Sequence, residues 1–198
     1  VSDPETLAVY EARAQEYAAR FDRGAADSDL RAFLAAVAPG GRVLDLGCGP
    51  GRSAALMAEA SLVVEAWDAA PGMVRLARDR GVEARLARFD DLDAEALYDG
   101  VWANFSLLHA PREAFRGHLR AVARALRPGG VLHLGMKTGQ GEGRDALGRH
   151  YVFWEVEALR SALEEAGLRP LRCREGEAAG LAGTREPFAI WLAERPLA

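Results

Sequence analysis

The feature that most constrains this chain is an abrupt change of pattern at residue 46. A short apolar run, Arg42-Val43-Leu44-Asp45-Leu46, gives way at once to Gly47, Gly49 and Gly51, each separated by one residue. A run of this length and composition suits a buried strand. Glycines permit positive φ and let the backbone approach a neighbour closely. A helix expected from Ser53 to Ala60 follows, and amides at a helix start favour negative groups. Strand, glycine turn and helix together open a crossover unit.

The rest of the chain repeats that alternation. Strands are expected at 62–67, 82–88, 100–105, 131–136, 168–174 and 188–194. Helices are expected at 71–80, 112–126 and 156–166. A glycine-rich loop, 138–148, interrupts the series. Before it all, an Ala-, Glu- and Arg-rich segment predicts one helix over 5–21, started by Asp3-Pro4, and a second over 27–37, stopped by Pro39-Gly40-Gly41. Alternating strands and helices imply an α/β fold with a mostly parallel sheet and helices on both faces. At 198 residues the chain fits a single domain over 1–198. Residues 1–38 would form a helical cover and 39–198 the sheet core. In such sheets a ligand sits beyond the carboxyl ends of the strands, where strand order reverses. The glycine loop lies at that place.

Bulk properties narrow the partners. Net charge is −4, the arginines are interspersed with acids, and Lys137 is the sole lysine. No basic run points to nucleic acid. No apolar run approaches the ~20 residues that span a bilayer, and the first residues lack a signal-peptide pattern. Cys48 and Cys173 show no metal-ligand spacing, nor do His118 and His133 combine with them, so no metal is expected. A cytoplasmic setting follows from the cysteine usage.

The loop itself discriminates between ligands. A dinucleotide fingerprint starting at Gly47 needs glycine at position 52, which is Arg52. Asp45, two residues before the first glycine, faces a pyrophosphate poorly but suits a cationic ligand. S-adenosylmethionine carries an ammonium and a sulfonium and no phosphate. Asp68, at the end of the second strand, is placed to take both ribose hydroxyls, or to cap the next helix. Met73 is placed to pack on adenine or in the core.

Four segments then resemble, in order, the class I S-adenosylmethionine-dependent methyltransferases. Val43 to Gly51 looks like their first motif, and Trp67-Asp68-Ala69-Ala70-Pro71-Gly72-Met73 resembles the acidic second. Tyr98 to His109 resembles the fourth-strand motif, and Leu126 to Leu132 the one before the fifth strand. The small-molecule group that includes tellurite-resistance-like bacterial enzymes is the nearest in character. The resemblance implies a Rossmann-like, doubly wound sheet of seven strands with the last antiparallel. It implies that Asp45, Gly47, Cys48 and Gly49 surround the amino-acid part of the cofactor, and that Asp68 binds ribose with Ala69 beside it. Arg88 and Phe89 would lie near adenine, with Asp90 and Asp91 slightly late for that contact. Asn104 would stand beside the methyl donor, and Tyr17, one helix face with Tyr10, would cover the cofactor. For Tyr10 plain packing is the expected role.

Methyl transfer from a sulfonium is an in-line displacement, and its first requirement is alignment. A base is needed only for a protonated acceptor. His109, after the fourth strand, is a candidate base or a helix cap. His150 and Tyr151 belong to a segment, 149–154, that suits a lid, an acceptor pocket or a hydrophobic anchor. Lys137 and Arg144 are candidates for an anionic acceptor. The Asp/Asn-Pro-Pro-aromatic tetrapeptide of amino-group methylases is absent; Asn104-Phe105-Ser106-Leu107 stands there. The leading expectation is a methyltransferase acting on a small-molecule acceptor, leaving S-adenosylhomocysteine. The alternatives are a non-catalytic S-adenosylmethionine-binding module and a nicotinamide-dependent oxidoreductase.

Overall fold

The structure, a computed structural model, describes residues 3–21 and 25–197. Its elements run α1 (Pro4–Ala12), α2 (Ala14–Phe21), α3 (Ser28–Ala36), β1 (Arg42–Leu46), α4 (Arg52–Glu59), β2 (Val63–Asp68), α5 (Pro71–Asp79) and β3 (Ala84–Leu86). They continue with β4 (Tyr98–Asn104), α6 (Arg112–Ala125), β5 (Leu126–Lys137), β6 (Glu142–Arg144), β7 (His150–Val152), α7 (Val156–Glu165), β8 (Arg169–Ala179) and β9 (Arg185–Glu194). Seven strands form one sheet in the order β3-β2-β1-β4-β5-β9-β8, and β6 and β7 form a separate pair. Neighbours from β3 to β5 are parallel; β9 runs antiparallel to both β5 and β8.

Central strands are apolar on both faces because both are covered. On one face Leu30, Phe33 and Met57 of α3 and α4 pack on Val43, Trp102 and Val131. On the other, Phe115, Leu119, Leu159 and Leu163 of α6 and α7 pack on Leu44, Val101, Leu132 and Trp191. Gly100 has no side chain because Phe33 occupies its place: a Cβ there would lie 2.7 Å from the ring. Asp45, Trp102, Asn104, His133 and Lys137 share the α3 face by register. No helix among the described residues is long and apolar enough to cross a membrane.

Several expected boundaries change for local reasons. The single helix over 5–21 is two helices, because the backbone turns at Arg13 (φ −114°, ψ 18°). The turn lets Glu11 of α1 and Ala14 of α2 both reach Gly72 at the start of α5. The strand expected at 82–88 shrinks to β3, since the Val82 amide closes α5 on the Ala77 carbonyl. The loop 138–148 is partly ordered: β6 pairs with β7 across it. β8 and β9 extend past the sheet to Ala179 and Arg185, and this longer hairpin becomes a wall of the site.

Candidate active site

The order of strands places a reversal between β1 and β4, and a cavity of about 830 Å³ opens there. That volume is in the upper range of small-molecule sites. Five of its walls come from the glycine loop, the N-terminal helices, the segment after β4, the end of β5 and the β8–β9 hairpin.

The three loop glycines differ in what they do. A Cβ on Gly47 would overlap the Ser106 Cβ, and one on Gly51 would lie 2.8 Å from the Ala77 Cβ. Both allow close packing. A Cβ on Gly49 would meet nothing nearer than the Tyr17 ring at 3.8 Å, so this glycine leaves open space on the cavity side. All three have positive φ. Gly47 and Cys48 donate to the Trp67 carbonyl, which ties the turn to β2.

Asp68 holds the loop from the other side. One carboxylate oxygen accepts the Gly49 N–H and the other the Ala70 N–H, each at 2.8 Å. Burial pushes its acid strength down, against those bonds. Asp45 is buried, and one of its oxygens has no hydrogen-bond partner. Burial, and then the Asp68 charge, push its pKa from 3.8 to about 8.

Opposite the glycine loop lies a polar chain. Tyr10 O–H is 2.8 Å from His109 Nε2, and His109 Nδ1 is 2.5 Å from the His150 carbonyl oxygen. Arg149 donates to the Tyr10 oxygen at 3.1 Å and makes two bonds to Asp145. The His150 N–H donates to Thr6. Lys137 pairs with Glu186 and lies 3.5 Å from the centre of the Tyr151 ring. Phe105 and Phe188 meet edge to face at 5.7 Å. Phe105 holds a left-handed backbone (φ 54°), an uncommon state for an aromatic residue.

The cavity therefore gathers Tyr17, Asp45, Gly47, Cys48, Gly49, Asn104, His109 and Tyr151. Asp68 adjoins it through Gly49. His150 reaches the site by its backbone. Ala69, Met73, Arg88 and Phe89 do not line the cavity: Met73 packs with Ala14 and Ala70, Phe89 lies in the core against His118, and Arg88 is exposed. His109 does not cap α6, whose N-cap is Pro111. Arg144 is turned outward to Asp3 and Glu5. Sequence reasoning missed Glu186, Phe188 and the strained Phe105. It also missed why residue 135 is glycine: the Asn104 side chain crosses it to reach His133 Nε2 at 2.9 Å.

Residues 43–130 match the methyltransferase domain family. Over that stretch the chain is similar to a methyltransferase domain, in line with the four motifs that resemble class I S-adenosylmethionine-dependent methyltransferases. It is 40% identical over 103 residues to a ubiquinone biosynthesis O-methyltransferase of Xanthomonas oryzae pv. oryzae (strain PXO99A), covering 48% of this chain and 42% of that one. It is 42% identical over 91 residues to a trans-aconitate 2-methyltransferase of Mycobacterium sp. (strain KMS), covering 45% and 35%. The chain thus spans less than half the length of these relatives. A Burkholderia thailandensis 1,6-didemethyltoxoflavin-N1-methyltransferase, solved with S-adenosylhomocysteine bound, shares the fold at a TM-score of 0.71 and 24% identity, over 99% of this chain and 92% of that one. The match gives the nicotinamide reading no support.

The residues at this site fit S-adenosylmethionine on two structural counts. The orphaned Asp45 oxygen suits a cation. The open side of Gly49 leaves room where a side chain would stand.

Proposed function

We propose that this methyltransferase domain moves a methyl group from S-adenosylmethionine to a small-molecule acceptor, acting as one domain in the cytoplasm without nucleic acid or a membrane. The observation that carries the reading is the buried, partnerless Asp45 oxygen beside the open face of Gly49. Bound cofactor supplies a methyl already activated on a sulfonium. The chain's part is to hold and align. Asp45, Gly47, Cys48 and Gly49 surround the amino-acid end. Asp68 takes the ribose hydroxyls on the lone pairs that Gly49 and Ala70 leave. Ala69, Met73, Arg88 and Phe89 stand outside the cavity and are given no cofactor contact in this reading. Tyr17 covers the cofactor, Asn104 stands beside the methyl, and His109 and Tyr151 face the acceptor. His150 orients His109 through its carbonyl.

Calorimetry with S-adenosylhomocysteine, followed by labelled methyl transfer into a metabolite extract, tests this. Binding in the micromolar range and a labelled small product are expected. Absence of binding sinks the reading.

Asp45 adds a second expectation. With a pKa of about 8, it carries a proton at pH 7 that an unfolded carboxyl near 3.8 has lost. This group therefore costs stability as pH rises from about 4 to about 8 in the ligand-free protein. A bound ammonium restores the carboxylate, so binding releases most of one proton at pH 7. Calorimetry in phosphate and in Tris reads that release as a buffer-dependent heat. Affinity should rise with pH up to about 8 and level off. Equal heats in both buffers, or an unchanged dependence in Asp45→Asn, contradict the assignment.

A further inference from the structure

How an acceptor loses its proton is set by the polar chain opposite the glycine loop, if the methyl-transfer reading holds. The His150 carbonyl can only accept, so His109 Nδ1 carries the hydrogen. Nε2 then holds a lone pair, and the Tyr10 O–H donates to it. An acceptor cannot reach that lone pair directly, because Tyr10 stands on it. Arg149 donates to the same Tyr10 oxygen and is itself fixed by Asp145, and the Tyr151 hydroxyl faces it. Tyr10 lines the cavity beside His109.

We propose that Tyr10 and His109 form a proton relay for an acceptor bearing a neutral, weakly acidic O–H of the phenol or enol class, with Arg149 steadying the Tyr10 oxygen. The acceptor oxygen bonds to the methyl carbon as the carbon–sulfur bond breaks, and that electron pair stays on sulfur. The acceptor's proton passes to the Tyr10 oxygen while the Tyr10 proton passes to Nε2. The resulting imidazolium donates from both nitrogens, to Tyr10 and to the His150 carbonyl. It returns its proton to solvent after product leaves. One positive charge moves from sulfur to His109, so the cavity's net charge does not change.

Burial holds the His109 pKa down to about 3, and the charges of Arg149 and Lys137 add to that. The ring therefore rests as a free base. So weak a base suffices, because an oxygen that is gaining a methyl becomes far more acidic than an imidazolium. The acceptor class follows from the same surroundings. A carboxylate arrives ionised and needs no relay. The two cations whose charges act on His109 are already matched, Arg149 by Asp145 and Lys137 by Glu186. Phe105, Phe188 and Tyr151 offer aromatic walls to a flat neutral group.

The test begins with S-adenosylhomocysteine calorimetry on the full chain; failure to bind there defeats the methyl-transfer reading and not the relay alone. With binding in hand, labelled S-adenosylmethionine is offered with catechol, acetylacetone, fumarate and benzylamine. Label is expected on catechol or acetylacetone. Tyr10→Phe and His109→Gln should each lower kcat ~100-fold or more, with KM and S-adenosylhomocysteine affinity changed less than about threefold. Independently of turnover, nitrogen NMR of the His109 ring should show a neutral Nδ1–H tautomer from pH 8 down to pH 5. In Tyr10→Phe the Nε2 resonance should move to that of an unbonded lone pair. Label confined to fumarate or benzylamine, no label on either O–H probe, near-normal kcat in Tyr10→Phe, or an imidazolium at pH 7 would each overturn the proposal.

Discussion

Gly47→Ala is expected to destabilise the fold by about 2–5 kcal/mol, as the sum of a left-handed backbone cost and an overpacking cost. Gly47 has φ 84°, and its missing Cβ leaves room for Ser106. Ser106 cannot readily move, because its hydroxyl donates to the Leu46 carbonyl at 2.6 Å. The turn cannot readily move either, because Gly47 and Cys48 both donate to Trp67. Removing the obstruction, in Gly47→Ala with Ser106→Gly, should recover the packing share and leave the backbone share. Gly49→Ala should behave differently. Its φ is 54° and its would-be Cβ is unobstructed, so the stability loss should be about 1–2 kcal/mol while S-adenosylhomocysteine affinity falls. Urea unfolding and calorimetry separate the two. If the unfolding free energy of Gly47→Ala in urea lies within about 1 kcal/mol of the parent's, the distinction between packing and cradle glycines is lost.

Asp68→Ala should weaken S-adenosylhomocysteine binding by about 100-fold or more, since two hydrogen bonds to a charged group are at stake, each worth about 1.5–3 kcal/mol. Two losses add. The ribose hydroxyls lose their acceptor, and the Gly49 and Ala70 amides lose theirs, so the cradle slackens before ligand arrives. Asp68→Asn keeps one carbonyl oxygen and should fall between alanine and the parent. Calorimetry on the three proteins checks the order. Affinity in Asp68→Ala within threefold of the parent would remove Asp68 from the site.

Much of the fold was legible because its signals are local. The run from Arg42 to Leu46, the glycines after it and the regular return of strands and helices each depend on a few adjacent residues. Edges were less legible. Val82 reads as strand but closes α5, and Arg13 reads as helix but turns the chain toward Gly72. Both outcomes depend on partners elsewhere in the chain. The candidate site divides the same way. Asp45, Gly47, Gly49 and Asp68 sit at strand ends whose position the alternation predicts. Tyr10 looked like packing because nothing near it in sequence reveals His109, 99 residues away, or Arg149, 139 residues away.

By itself, then, the sequence determined the strand–glycine–helix turn, the acidic residues flanking it and the cofactor class to which they point, because backbone conformation and side-chain charge act over a few residues. Only the tertiary structure decided which glycine leaves room for a ligand, that Asp45 is left with an unpaired oxygen, and that Tyr10 stands between His109 and the cavity. Those depend on close approach of segments that only folding brings together: a would-be Cβ has its nearest neighbour at 2.8 Å on Gly51 and at 3.8 Å on Gly49, and that difference separates a packing glycine from a cradle.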